Sequence, residues 1–181
     1  MPKAKTKKLI YCAAALALAF VTSLIKVYTL PFGGSVTLFS MLFVVLIANW
    51  YGTLTGVLVG AIYGILNFMQ EPIFLSVPQF ILDYICSFAA LGLAGIFSNK
   101  KNGLLKGYIF GILMRGAFAT IAGYIFWSAY MPETFPKALE KLYSVIYNYG
   151  YILAEGIATI IVISVPAVAN AIKMVKKSAL E

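Results

Sequence analysis

No histidine occurs anywhere in the 181 residues, and only six residues are acidic. The first absence removes most zinc sites, imidazole proton relays and Ser–His–Asp triads together. Ser35, Ser40 and Ser87 have no obvious base, which argues against a membrane hydrolase. No G-x-x-x-x-G-K-[ST] pattern is present either, so any ATP that drives this protein is hydrolysed by another chain. Charged residues make up 11% of the sequence and hydrophobic ones 62%. Soluble domains are about a quarter charged, so this composition defines an integral membrane protein. Cysteine is scarce too: Cys12 and Cys86 both lie in apolar runs and read as buried structural thiols.

The charge that is present is mostly positive, with a net value of +8. Its distribution speaks against nucleic acid. Lys3, Lys5, Lys7 and Lys8 precede the first apolar run, Lys100, Lys101 and Lys106 punctuate the middle, and Lys173, Lys176 and Lys177 close the chain. Such clusters orient membrane helices. Lysines followed by LIYCAAALALAF could suggest a cleaved signal peptide, but the many further apolar runs favour a retained first helix.

Apolar segments predict helices over 9–26, 36–50, 53–70, 79–98, 105–128 and 150–172, each near the roughly 20 residues that cross a bilayer. The expected architecture is all-α: one transmembrane domain over 1–181, a six-helix bundle with both termini cytoplasmic. An even number of spans puts all three lysine clusters on one side, as the positive-inside rule requires. The outer connections are then 27–35, 71–78 and 129–149. Within the last, KALEKLYSVIYN reads as a short amphipathic helix on the surface. Gly56, Gly60 and Gly64, and again Gly107 and Gly111, recur four apart, a spacing that lets helices approach closely.

Against this background Asp83 stands out. The run from Pro78 to Phe97 contains no other charged side chain, and a carboxylate there costs roughly 2.5–3.5 kcal/mol on insertion. The topology places Asp83 toward the outer face, where Trp127, Tyr143, Tyr147, Asn148 and Tyr151 also arrive and Gly33, Gly34 and Ser35 open the second helix. Trp50 falls on the cytoplasmic side. Tyr130, Tyr147 and Tyr151 also suit an interfacial aromatic belt. Arg115 lies about twelve residues before Trp127, roughly 18 Å at helical rise, too deep to pair with Asp83. Glu155 suits polar packing and site membership equally. One carboxylate among aromatic rings fits a flat, cationic or amino-bearing heterocycle. Nothing among these residues is equipped to break bonds, and the sequence implies no cofactor and no metal.

Five stretches, GGSVTLFSM (33–41), YGTLTGVLVGAIYGIL (51–66), QFILDYICSFAALGLAGIF (79–97), AGYIFWSAY (122–130) and YSVIYN (143–148), together resemble the thiamine-specific substrate-binding (S) components of energy-coupling factor transporters, the ThiT-type family. The similarity runs over nearly the whole chain. It implies a six-helix membrane protein that captures thiamine from outside and associates with a transmembrane coupling protein and two ATPases. The family's acid–tyrosine pair maps onto Asp83 and Tyr84, its stacking tryptophan onto Trp127, and its YSxxYN motif onto Tyr143 and Asn148; Gly34 joins them as a substrate-binding position. Ala13 and Ala17 in CAAALALAF match the small-residue stripe on which the coupling protein packs. The family has a histidine eight residues before the tryptophan, where this chain has Ala119. That departure leaves open a more weakly held thiamine, or a thiamine precursor or other heterocyclic vitamin. An autonomous ion-coupled carrier using Asp83 and Glu155 is the competing class, although repeats and broken helices typical of such carriers are not evident.

Overall fold

The computed structural model describes residues 2–181, with the side chains of Pro2 and Lys3 left aside. Helix α1 (Pro2–Ser23) is followed by an antiparallel hairpin of β1 (Lys26–Thr29) and β2 (Ser35–Thr37), then α2 (Ser40–Tyr51) and α3 (Thr53–Gln70). Next come α4 (Val77–Phe97), α5 (Gly103–Tyr130) and α6 (Lys137–Ser164), and finally α7 (Pro166–Leu180). Among the described residues five helices, Ala4–Ser23 within α1 and all of α3, α4, α5 and α6, are long and apolar enough to cross a membrane. Helix α2 is apolar but only 12 residues long.

Several boundaries depart from the sequence expectations. The segment 27–35 is part of the hairpin rather than a plain connection, and Gly33, Gly34 and Ser35 lie before α2 instead of opening it. Three residues of turn, Pro31–Gly33, reverse the chain between the strands, with Phe32 in the left-handed region at φ 64°. The stretch expected as a separate surface helix is instead the start of α6, wound as 3₁₀ over Lys137–Leu142 and as α-helix from Tyr143. The last expected helix, 150–172, is interrupted. Pro166 removes a backbone donor and biases Val165 toward an extended conformation, and Val165 adopts φ −66°, ψ 126°. The apolar run continues across this break, which is why hydropathy alone spans it. Of the two cysteines Cys12 is buried, whereas Cys86 is only half-buried.

Helix α7 folds back across the end of the bundle where α1 starts. Tyr11 donates to Ser178 Oγ at 3.0 Å, Tyr51 to the Ala179 carbonyl at 2.9 Å, and Lys176 Nζ to Asn49 Oδ1 at 2.8 Å. Both chain ends therefore share one end of the molecule, together with Trp50, which meets Tyr11 edge-on.

Small residues set the packing of the centre. Gly52 links α2 to α3 as a single residue at φ 88°, a conformation open to glycine because it lacks a Cβ. Gly92 of α4 lies against the α3 backbone at Gly56 and Val57, leaving no room for a side chain. Around this seam the buried Met41, Val44, Val45, Tyr63, Leu91 and Tyr108 form the core.

Candidate ligand-binding site

At the end opposite α7, α3 to α6 and the hairpin enclose a cavity. All six positions expected to bind substrate, Gly34, Asp83, Tyr84, Trp127, Tyr143 and Asn148, line it. Its centre is a pair of side chains 44 residues apart. Trp127 Nε1 donates to Asp83 Oδ2 at 2.8 Å, and Gln79 Nε2 donates to the same oxygen at 2.8 Å. Gln79 is fully buried and is itself held, accepting from the Leu75 N–H through its side-chain oxygen at 3.1 Å. One carboxylate oxygen is thus committed to orienting the acid. The other, Oδ1, has no hydrogen-bond partner among the described residues.

The backbone supports this aim. Helix α4 widens to π-type winding over Ile81–Cys86 and tightens to 3₁₀ winding over Ala90–Phe97; α5 widens to π-type winding over Gly123–Trp127. A π turn carries an extra residue relative to an α turn and so rotates the side chains beyond it, a device frequent at functional sites. Asp83 and Trp127 both lie on such turns. Neither turn has a hydropathy signature, so the sequence reading has regular helices here.

Rings wall the mouth. Phe32 lies 6.0 Å from Trp127 and 5.6 Å from Tyr130, centroid to centroid, and Trp127 and Tyr130 are 5.4 Å apart. Tyr143 packs on Phe135 at 4.9 Å and on Tyr147 at 5.9 Å. Tyr84 joins Phe68 and Phe80, and its hydroxyl donates to the Glu71 carbonyl at 3.2 Å. Asn148 donates to the Ser144 carbonyl at 2.9 Å and accepts from Tyr151 at 3.3 Å. The Gly34 N–H donates to the Tyr147 hydroxyl at 3.0 Å, and that hydroxyl donates to the Pro31 carbonyl. Tyr147 and Tyr151 therefore line the cavity rather than forming an outward belt, while Tyr130 stays at the exposed rim. On the side, Lys26 of β1 pairs with Glu71.

Deeper in, Arg115 is 8% exposed and forms no ion pair with Asp83 or any other acid among the described residues. Its guanidinium sits 4.3 Å from the Phe88 ring centroid, a cation–π contact, and its Nε has no acceptor. Ala119, one turn further along the same helix, also lines the cavity, as does Glu155. Ala13 and Ala17 lie far from all this, exposed on the outer surface of α1.

A sequence profile described as the thiamine transporter protein (Thia_YuaJ) matches residues 9–175. The chain belongs to the thiamine transporter protein family. It is 30% identical over 168 residues to the thiamine transporter ThiT of Bacillus subtilis, covering 85% of this chain and 84% of that one. A second relative, the thiamine transporter ThiT of Lacticaseibacillus paracasei, is 33% identical over 123 residues, covering 59% and 60%. The fold matches a solved structure of ThiT from Listeria monocytogenes with a TM-score of 0.69 at 24% identity, over 90% of this chain and 96% of that chain. Membership in the thiamine transporter protein family makes this a multi-pass transport protein of the cell membrane. For this family member, sequence reasoning overlooks Phe32 and Gln79. Phe32 is hidden because a turn phenylalanine carries no polar signal, and Gln79 because a glutamine at a helix start reads as a boundary.

Proposed function

We propose that the protein is the substrate-binding subunit of an energy-coupling factor importer and captures thiamine from outside the cell. The observation that carries this reading is the uncommitted Oδ1 of Asp83, held in an aromatic-walled cavity by Trp127 and Gln79. An aminopyrimidine donates N–H groups, which suit an ionised carboxylate oxygen, and a cationic thiazolium suits the faces of Trp127, Tyr143 and Phe32. Asn148, Tyr84 and the Gly34 backbone complete the shell. The termini face the cytoplasm, on the strength of the lysine clusters, so the cavity opens outward. Ala13 and Ala17 offer a smooth helix face to a transmembrane coupling protein, and two partner ATPases supply the energy.

Titration calorimetry with thiamine, its pyrimidine and thiazole halves, and pyridoxine tests the ligand. Thiamine is expected to bind best; a protein that ignores thiamine yet holds another of the four has a different vitamin as its substrate. Liposomes containing this chain alone test the subunit reading. They should bind thiamine without accumulating it under any proton or sodium gradient. Accumulation driven by such a gradient would make it a self-sufficient carrier.

A further inference from the structure

Helix α6 carries Tyr147, Tyr151 and Glu155 four residues apart, so the three share one face. That face fastens the hairpin and the start of α2. At its outer end Tyr147 holds Gly34 and Pro31. At its inner end Glu155, 2% exposed, accepts four hydrogen bonds: Thr37 N–H at 3.0 Å and Thr37 Oγ1 at 2.6 Å on one oxygen, Ser40 Oγ at 3.2 Å and Met41 N–H at 3.2 Å on the other. One of those donors, the Met41 N–H, is an orphan amide in the first turn of α2, and another, the Thr37 N–H, ends β2. The residue preceding that helix is Phe39, at φ 62° and with no side chain able to cap it. A carboxylate from another helix, 115 residues away from Ser40, does the work that a local Ser, Asp or Asn ordinarily does.

We propose that Glu155 is a positioning residue for the ligand, setting the height at which Gly34 and Phe32 close over the cavity. It touches the cavity wall, but its oxygens are all engaged by the hairpin side, so it acts through that segment. Glu155→Gln would turn an amide N–H₂ donor toward two of the four donors, and the segment from Gly34 to Met41 would lose its fixed reference to α6. The proposal rests on the thiamine reading for its ligand, and the experiment separates the two.

Hydrogen exchange of amides 34–41 in ligand-free protein, and stopped-flow dissociation of thiamine followed by tryptophan emission, are measured on wild type, Glu155→Gln and Thr37→Val. Work well below the thermal transition keeps the readout on folded protein, and Thr37→Val removes one donor while leaving the carboxylate in place. Faster exchange across 34–41 together with thiamine dissociation accelerated tens-fold in Glu155→Gln, and several-fold in Thr37→Val, is the expected result. Faster exchange with dissociation unchanged within twofold would reduce Glu155 to a fold-stabilising residue and overturn the proposal. Unchanged exchange in both variants overturns it as well. Wild-type protein that binds no thiamine would refute the ligand reading; the exchange data still decide whether Glu155 holds the segment.

Discussion

The two ends of α4 and α5 are built on opposite principles. Away from the cavity, Gly92 lies against the α3 backbone and Gly107 meets the Ala94 carbonyl, so backbones touch directly. At the cavity end the same helices loosen into π turns and carry a carboxylate, an indole and an amide-bearing neighbour. Close backbone packing without polar side chains gives rigidity, and the seam can be regular because it has nothing to recognise. The cavity end must expose one acid to a ligand while satisfying the rest of its polar atoms, and regular winding does not aim the side chains that way.

Breaking the seam should have the largest effect. Gly92→Val would drive a branched side chain into Gly56 and Val57, where only backbone could yield. Overpacking of this kind costs about 1–3 kcal/mol even against side chains, so a fall in melting temperature in detergent, with loss of most folded protein, is expected. An unchanged melting temperature would mean that α3 and α4 are not in contact.

Trp127→Phe addresses the other end. It removes the indole donor to Asp83 but keeps a ring, so thiamine affinity should weaken by about 1–3 kcal/mol with the melting temperature of the free protein nearly constant. Ligand-induced quenching should vanish in this variant and survive Trp50→Phe, because Trp50 packs on Tyr11 at the opposite end. The reverse pattern would place the ligand at the wrong end of the bundle.

The smallest effect is expected at Ala119. This residue is 5% exposed and lines the cavity one turn from Arg115, whose Nε has no acceptor. Ala119→His should add ring contacts and tighten thiamine binding several-fold. Weaker thiamine binding, with an unchanged response to pyridoxine or to the isolated halves, would indicate that the space beside Ala119 is used by the ligand itself.

These contrasts also mark what could be read from residues alone. Asp83 is conspicuous because a charge in an apolar run has no structural excuse, and the quoted motifs bring Trp127, Tyr143 and Asn148 to it. The α3 span, 53–70, is legible to the residue because Gly52 ends one helix and Gln70–Glu71 the other. The hairpin is not legible although Val, Tyr and Thr flank a Pro–Phe–Gly–Gly turn, since in a membrane chain such a stretch reads as a connection. The partners of Glu155 are equally hidden. Its four donors come from residues 37–41, and no local pattern links them to position 155. Winding changes from α to π leave periodicity nearly intact over five residues, so the aim of Asp83 and Trp127 belongs to the tertiary structure.

The most direct test of the central claim, that Asp83 Oδ1 reads an amino group on the ligand, compares thiamine with the analogue whose pyrimidine amino group is replaced by a carbonyl. Both are titrated into wild type and Asp83→Asn. An asparagine oxygen can still accept from Trp127 and Gln79, so the change falls on the ligand side of the pair. Wild type should prefer thiamine by tens-fold or more, in line with the about 2–5 kcal/mol lost when one partner of a buried charged hydrogen bond is removed. In Asp83→Asn that preference should shrink to within a few-fold. The same ratio of affinities in both proteins would contradict the assignment.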